Sequence, residues 1–228
     1  GKPKSLTKCE STKELYETVL NAWNEESNYQ ILAGGSNTVF ADDISNLDVI
    51  LVANLGKEIV SETENSVTVR VQAGESWDEF VAWAVEHGYA GIEAMSGIPG
   101  SVGATPVQNV GGYGQEVSET ITQIEFLDFE TFEVEIKPAE FFNFSYRDSA
   151  LKHGLKGVIG WVEFELRKLG GLSVPMASGQ ITNHLGEPYG SQLPLQVVRD
   201  TDVSVWRDDF VASLQAVVRS TGDEGGLG

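Results

Sequence analysis

Two glycine-rich stretches carry most of the chemistry this sequence is equipped for. The first, Gly34-Gly35-Ser36-Asn37, follows the apolar run Tyr29 to Leu32. Glycine tolerates positive φ and lets the backbone approach a ligand, so successive amides can converge on one anion. Such a nest holds a diphosphate without a lysine. No Gly-Lys-Ser/Thr follows, so it is not a Walker A loop, and its spacing is not that of a dinucleotide-binding Rossmann turn. Taken alone, the four residues read as an ordinary strand-to-loop turn. The second stretch is more specific. From Gly97 to Gly114 it runs Gly97-Ile98-Pro99-Gly100-Ser101-Val102-Gly103-Ala104-Thr105-Pro106-Val107-Gln108-Asn109-Val110-Gly111-Gly112-Tyr113-Gly114, six glycines in eighteen positions with no charged residue. Ordering so many glycines merely to connect two elements costs conformational entropy for no return. A long apolar loop of this kind is better explained as a backbone-lined groove for a flat ligand.

Other candidate chemistry is thin. Arg147, Lys152, His153 and Lys156 place three of the chain's 15 basic residues within ten positions. They read equally well as a basic surface turn or as a landing site for ligand phosphates. An arginine offers a planar, permanently charged fork suited to a carboxylate or a developing enolate. If Arg147 and Asp148 lay on a strand they would point to opposite faces, turning Arg147 away from its neighbour and towards a cleft. His87, His153 and His184 lack metal-ligand spacing, and Met95 and Met176 read as packing residues. Asp42-Asp43 and Asp208-Asp209 read as solvated turns or helix surface, so no metal is expected. Cys9 is the only cysteine, which excludes an intrachain disulfide and a thiolate metal cage and fits a reducing cytoplasm. The net charge of −19 argues against nucleic acid and anionic membranes as partners. It also means that a polyanionic ligand must be held by local donors against the overall field. No run of 18 apolar residues is present, and the basic start Gly1-Lys2-Pro3-Lys4 lacks the apolar stretch of a secretory signal.

The elements that must position these groups follow from patterning. Ser11 and Glu14 form a capping box, and Leu15, Val19 and Trp23 continue it as a helix, the first element expected. Tyr29–Leu32 and Asp48–Ala53 read as strands, and Val67, Val69 and Val71 alternate with Thr68 and Arg70 as a half-buried one. A helix is expected over Ser76–Glu86, closed by His87-Gly88. Strands follow at 124–129, 133–137 and 158–166, then a last helix through Phe210, Leu214, Val217 and Val218. The fold class is α+β, in two lobes divided near Gly56: 1–56 and 57–228, the second ending in that helix.

The pairing of Gly-Gly-Ser-Asn with Gly-Ile-Pro-Gly-Ser-Val-Gly and Pro-Val-Gln-Asn-Val-Gly-Gly-Tyr-Gly-Gln-Glu-Val resembles the UDP-N-acetylenolpyruvoylglucosamine reductases. So does Tyr146-Arg147-Asp148-Ser149 one lobe later, and the likeness extends from the first helix to about Arg199. The resemblance implies a two-lobe FAD-binding fold of the vanillyl-alcohol-oxidase type, with FAD between the lobes, NADPH as hydride donor and a UDP-sugar enol ether as substrate. It places Gly34, Gly35, Ser36 and Asn37 at the cofactor's diphosphate. Gly97, Ile98, Pro99, Gly100, Ser101, Val102, Gly103, Gln108, Asn109 and Gly112 would lie near its ring system. Arg147, with Tyr146, is implied in polarising the enolpyruvyl group. The sequence also departs from that family. The serine-bearing motif serine-alanine-glycine-serine followed by two phenylalanines is nowhere in these 228 residues. Nor are the C-terminal glutamate segment and the third, substrate-binding lobe, so a shortened reductase with little turnover is expected, the alternatives being a non-catalytic flavin-binding module or an FAD oxidase of the same broader fold.

Overall fold

The computed structural model describes residues 1–168; the expected helix through Phe210 lies outside them. The chain opens with a strand rather than a helix. This strand, β1 (Ser5–Cys9), is followed by α1 (Thr12–Asn24), β2 (Tyr29–Leu32) and β3 (Asp48–Val52). The three strands form a parallel sheet in the order β1-β3-β2. β1 escaped pattern reading because only Cys9 of its five residues is buried. What holds it is its full register against β3, with Ser5 Oγ donating to Asp48 Oδ1 at 2.6 Å and Lys4 Nζ pairing with Oδ2 at 2.9 Å. The Ser5 hydroxyl, followed by Lys4, holds the Asp48 carboxyl below its ordinary value.

Helix α1 begins as expected, with Ser11 Oγ accepting from the Glu14 N–H at 3.2 Å. The reciprocal half of the capping box is displaced by one residue: Glu14 accepts from the N–H of Glu10, not of Ser11. Leu15 and Val19 are fully buried in a core with Cys9 and Ile50 from their own sheet and Leu127 and Val158 from the next. Trp23 stays partly exposed against Phe129 and Phe132.

From Lys57 onward a second sheet forms. Its strands are β4 (Lys57–Glu62), β5 (Ser66–Gln72), β6 (Tyr89–Ala90), β9 (Ile121–Asp128), β10 (Val134–Pro138) and β11 (Gly157–Lys168); β7 (Gly111–Gly112) and β8 (Gln115–Glu116) make a separate small hairpin. The main path is antiparallel, β10-β9-β11-β5-β4, with β6 paired to β11. Val67, Val69 and Val71 face inward with no exposure, and α2 (Trp77–Glu86) lays Trp77, Phe80 and Ala84 over the sheet. β4 is an edge strand that the pattern missed. Most of its residues are exposed, and a register shift between Ile59 and Ser61 breaks its alternation. The glycine-rich stretch is not an open loop. It is folded into a short 3-10 turn at Val102–Ala104 and, at its end, the β7–β8 hairpin.

Candidate functional site

The two glycine-rich stretches, some sixty residues apart in sequence, meet in space. A Cβ on Gly34 would lie 3.4 Å from the Gly100 Cα, and Ser36 Oγ donates to the Pro99 carbonyl at 3.4 Å. Gly35 (φ +73°) and Gly100 (φ +130°) occupy conformations that suit glycine. Between them opens a groove of about 270 Å³, lined by Gly34, Gly100 and Ser101 together with Lys8, Leu51, Val52, Ala53, Leu55, Gly74 and Ser76. Backbone bonds anchor its second wall: the Trp77 N–H donates to the Gly100 carbonyl at 3.1 Å and the Val102 N–H to that of Glu75 at 2.8 Å. Ser101 is 5% exposed, yet its Oγ has no hydrogen-bond partner among the described residues. A buried hydroxyl left unpaired at a groove wall is a donor that a bound group could engage. A larger hollow of about 500 Å³ lies on the outer surface between Ala22 and Tyr29 and contains none of the expected site residues.

The remaining expected residues divide. Gly97 lies behind the groove, its N–H held by Asp78 Oδ1 at 2.7 Å, and Gly112 packs against Ile98. Val102 is wholly buried in the core, and Gly103 backs onto Ala73. Asn37 is exposed and Gln108 half-buried. Asn109 is fully buried, and its side chain is engaged within the protein. Nδ2 donates to Glu116 Oε2 at 2.8 Å and to the Ser145 carbonyl at 2.9 Å, while Oδ1 accepts from the Ser118 N–H. Those bonds tie the glycine-rich stretch to the turn carrying Tyr146 and Arg147. Of the expected cofactor residues, then, Gly34, Gly100 and Ser101 line the groove, and Gly35, Ser36 and Pro99 adjoin it.

Arg147 does not lie on a strand. Ser145 and Asp148 bridge across a tight turn, with Arg147 at φ +55°, so alternation along a strand cannot set its direction. Both Arg147 and Tyr146 (81% exposed) face solvent outside the groove lining. Asp148 pairs not with Arg147 but with His153 Nε2 at 2.6 Å and Lys152 Nζ at 3.6 Å. The His153 hydrogen bond in particular holds its carboxyl below the ordinary value. Lys152 also donates to the Arg147 carbonyl. The basic run is thus partly spent on stabilising its own turn.

Sequence reading missed Lys8, Ala53, Leu55 and Gly74 in the groove, and two buried polar residues beside it. Asn54 is bonded to four segments, and Glu75 accepts from the Gly56 N–H at 2.7 Å and pairs with Lys57 at 2.9 Å. A usable signal was present: both Ala53-Asn54-Leu55-Gly56 and Ala73-Gly74-Glu75 place glycine and a polar side chain just past an apolar strand.

Comparison with known proteins identifies the family. Residues 3–131 match the family model described as FAD binding domain. The UDP-N-acetylenolpyruvoylglucosamine reductase of Leifsonia xyli is 40% identical over 206 residues, covering 87% of this chain and 54% of that protein. The enzyme of the same name from Mycobacterium sp. strain MCS is 45% identical over 177 residues, 78% of this chain and 49% of the other. The chain therefore spans about half the length of the curated relatives it matches. Among solved structures, the UDP-N-acetylenolpyruvylglucosamine reductase of Thermus caldophilus superposes with a TM-score of 0.57 at 26% identity, covering 72% of this chain and 55% of that one. Cholesterol oxidase from Brevibacterium sterolicum shares the fold alone, at TM-score 0.52 and 11% identity. The α+β architecture is that of the vanillyl-alcohol-oxidase-type flavoproteins, and the chain belongs to the FAD-binding domain family, among the relatives of the UDP-N-acetylenolpyruvoylglucosamine reductases.

Proposed function

We propose that this chain forms the FAD-binding half of a UDP-N-acetylenolpyruvoylglucosamine reductase, with NADPH as hydride donor, working in the cytoplasm on the precursor of the peptidoglycan sugar. The observation that carries the reading is the groove where the two glycine-rich stretches meet, with the unpaired Ser101 hydroxyl in its wall. It fits a flat, anionic group: Gly34, Gly74 and Gly100 among its lining residues, an orphaned donor on Ser101, and Lys8. The amides of Gly34, Gly35, Ser36 and Asn37 would hold the diphosphate, and the Gly97–Gly103 segment would flank the ring system. FAD, when bound, supplies a hydride carrier between the nicotinamide and the enolpyruvyl sugar. The chain's own contribution is to bind it, exclude water and keep the two sheets, on either side of residue 56, as the two lobes around it. Tyr146 and Arg147, presented on their turn, would meet the enolpyruvyl group.

The second reading is a flavin-binding module without turnover, and these 228 residues do not contain the family's proton-donating serine motif. General acid catalysis is worth roughly 10²–10⁴-fold, so the chain by itself should reduce the enolpyruvyl sugar very slowly. Titration with FAD tests the common core of both readings. A shifted flavin absorption spectrum and quenched fluorescence at micromolar protein are expected, and superimposable free and mixed spectra would refute it. An NADPH-consumption assay with the enolpyruvyl sugar then separates the two.

A further inference from the structure

Asn54 leaves the first sheet just beyond β3 and is 1% exposed, with every polar atom of its side chain engaged. Its Nδ2 lies 2.9 Å from Thr12 Oγ1, 2.9 Å from Gln72 Oε1 and 2.8 Å from the Gly160 carbonyl, while its Oδ1 accepts from the Gly74 N–H at 3.0 Å. These partners belong to α1, to the end of β5, to a register shift in β11 and to the connection into α2. One amide therefore joins the first sheet to two strands of the second. The fit is tight: a Cβ on Gly74 would stand 2.7 Å from the Asn54 backbone nitrogen and oxygen. Behind Gly74 the layering continues. The Ala73 N–H donates to the Gly160 carbonyl at 3.0 Å, and the Ala73 carbonyl accepts from the Gly103 N–H at 2.9 Å. A Cβ on Gly103 would come within 2.5 Å of the Ala73 Cβ. The residues flanking Asn54, Ala53 and Leu55, line one side of the groove, and Gly100 and Ser101 line the other. Asn54 is not itself among the lining residues.

We infer that Asn54 is a positioning residue whose side-chain amide fixes the spacing between the Ala53–Leu55 and Gly100–Ser101 walls, and so sets how tightly FAD is held without touching it. This rests on the FAD reading of the groove. The choice of side chain follows from the partners. Alanine removes every one of these contacts, two N–H donors shared among three acceptors and one carbonyl acceptor, and aspartate sets a carboxylate against the Gln72 and Gly160 oxygens.

The test uses the 228-residue chain, titrated with FAD by fluorescence quenching and visible absorption well below each variant's melting temperature. Asn54→Ala and Asn54→Asp should weaken FAD binding about tenfold or more and blur the vibronic structure of the bound flavin's spectrum. Thr12→Val, which preserves shape and removes both the Asn54–Thr12 contact and the 2.7 Å hydrogen bond that Thr12 Oγ1 donates to Gln72 Oε1, should weaken it about threefold. Arg70→Lys is the stability control. Arg70 bonds Glu58 and Glu163 and lies over Trp161, away from the groove lining. It should lower the melting temperature and leave FAD affinity within about twofold of wild type, a change worth less than one hydrogen bond. Folded Asn54 variants that bind FAD as wild type does, with the same spectrum, overturn the inference. So does an Arg70→Lys affinity loss in step with its loss of stability. Should the Asn54 variants not fold, Thr12→Val decides, and unchanged affinity rejects the positioning role. Wild-type chain that binds no FAD would remove the proposed function and the inference together, whereas equal binding by all variants removes only the inference.

Discussion

At the residue scale, the side chains that matter most are those whose local state is unexpected. The Ser101 hydroxyl is buried without a partner, so Ser101→Ala should leave the cofactor-free chain as stable or slightly more so, because nothing is lost but an unsatisfied group. If that hydroxyl bonds the flavin, the same change weakens FAD binding by about 0.5–1.5 kcal/mol, or roughly twofold to tenfold in Kd. Paired denaturation and FAD titrations read both, and a stability loss with unchanged affinity would mean that Ser101 is structural. Arg147 is the second case. A side chain other than glycine or asparagine in the left-handed region costs roughly 1–2 kcal/mol. No described acidic residue pairs with this one to offset it. Arg147→Gly relieves that strain while adding about 0.5–1 kcal/mol of unfolded-state entropy, so stability should stay within about 1 kcal/mol of wild type. FAD affinity should not move either. In a chimera supplying the remaining half of a 40%-identical relative, the same change should abolish enolpyruvyl reduction and spare flavin reduction by NADPH. An unaffected substrate rate there would strike Arg147 from the reaction.

At the element scale, the turn from Ser145 to His153 presents Tyr146 and Arg147, and its order depends on Asp148. The folded-state pKa of Asp148 is lowered, chiefly by the His153 hydrogen bond and then by the charges of His153 and Lys152, while partial desolvation opposes them. The sign follows: the stabilisation is present above the unfolded aspartate value, near 3.9, and is lost as pH falls through the lower folded one. Wild type should therefore be more stable than Asp148→Asn at pH 5 to 6, and the two should converge as pH drops below about 4. A difference independent of pH would show that the charge is not what matters. The same turn marks the limit of sequence reading. Strands such as β5 and helices such as α1 and α2 were legible because Val67, Val69 and Val71, or Leu15 and Val19, repeat at the period of their element. β1 and β4 were not, since edge strands bury one face weakly and are specified by pairing with residues far away in sequence. The left-handed turn at Arg147 left no trace in the pattern because its residue is not the glycine or asparagine that advertises such a conformation. The site was legible as two glycine-rich stretches. Its other wall was not, because the place of Ala53, Leu55 and Gly74 in it depends on how two sheets come together.

At the scale of the whole molecule, a chain with net charge −19 is asked to hold a ligand that is itself an anion. The groove holds few resources against this field. Lys8 at its rim is paired with Glu10 at 2.6 Å, and Lys57 behind it is paired with the largely buried Glu75. What remains under the proposed function is uncharged: the backbone amides of Gly34 to Asn37 that would hold the diphosphate and the hydroxyl of Ser101, all dipoles whose attraction acts at contact range. Repulsion from the acidic surface acts at long range, and salt screens it. The Debye length shrinks from about 30 Å at 0.01 M to about 8 Å at 0.15 M ionic strength, so short-range bonds survive while the distant field is lost. FAD should therefore bind more tightly as ionic strength rises over this interval. A site built from lysines and arginines would show the opposite slope, because its attraction is itself screened. The gain should come mainly through faster association, since a net repulsive field slows encounter more than it speeds escape from a closed groove. Stopped-flow fluorescence at several salt concentrations measures both rates. Affinity that falls with salt would show that Lys8 or Lys57 leaves its carboxylate to meet the diphosphate, and Lys8→Gln and Lys57→Gln would then identify which one carries the binding.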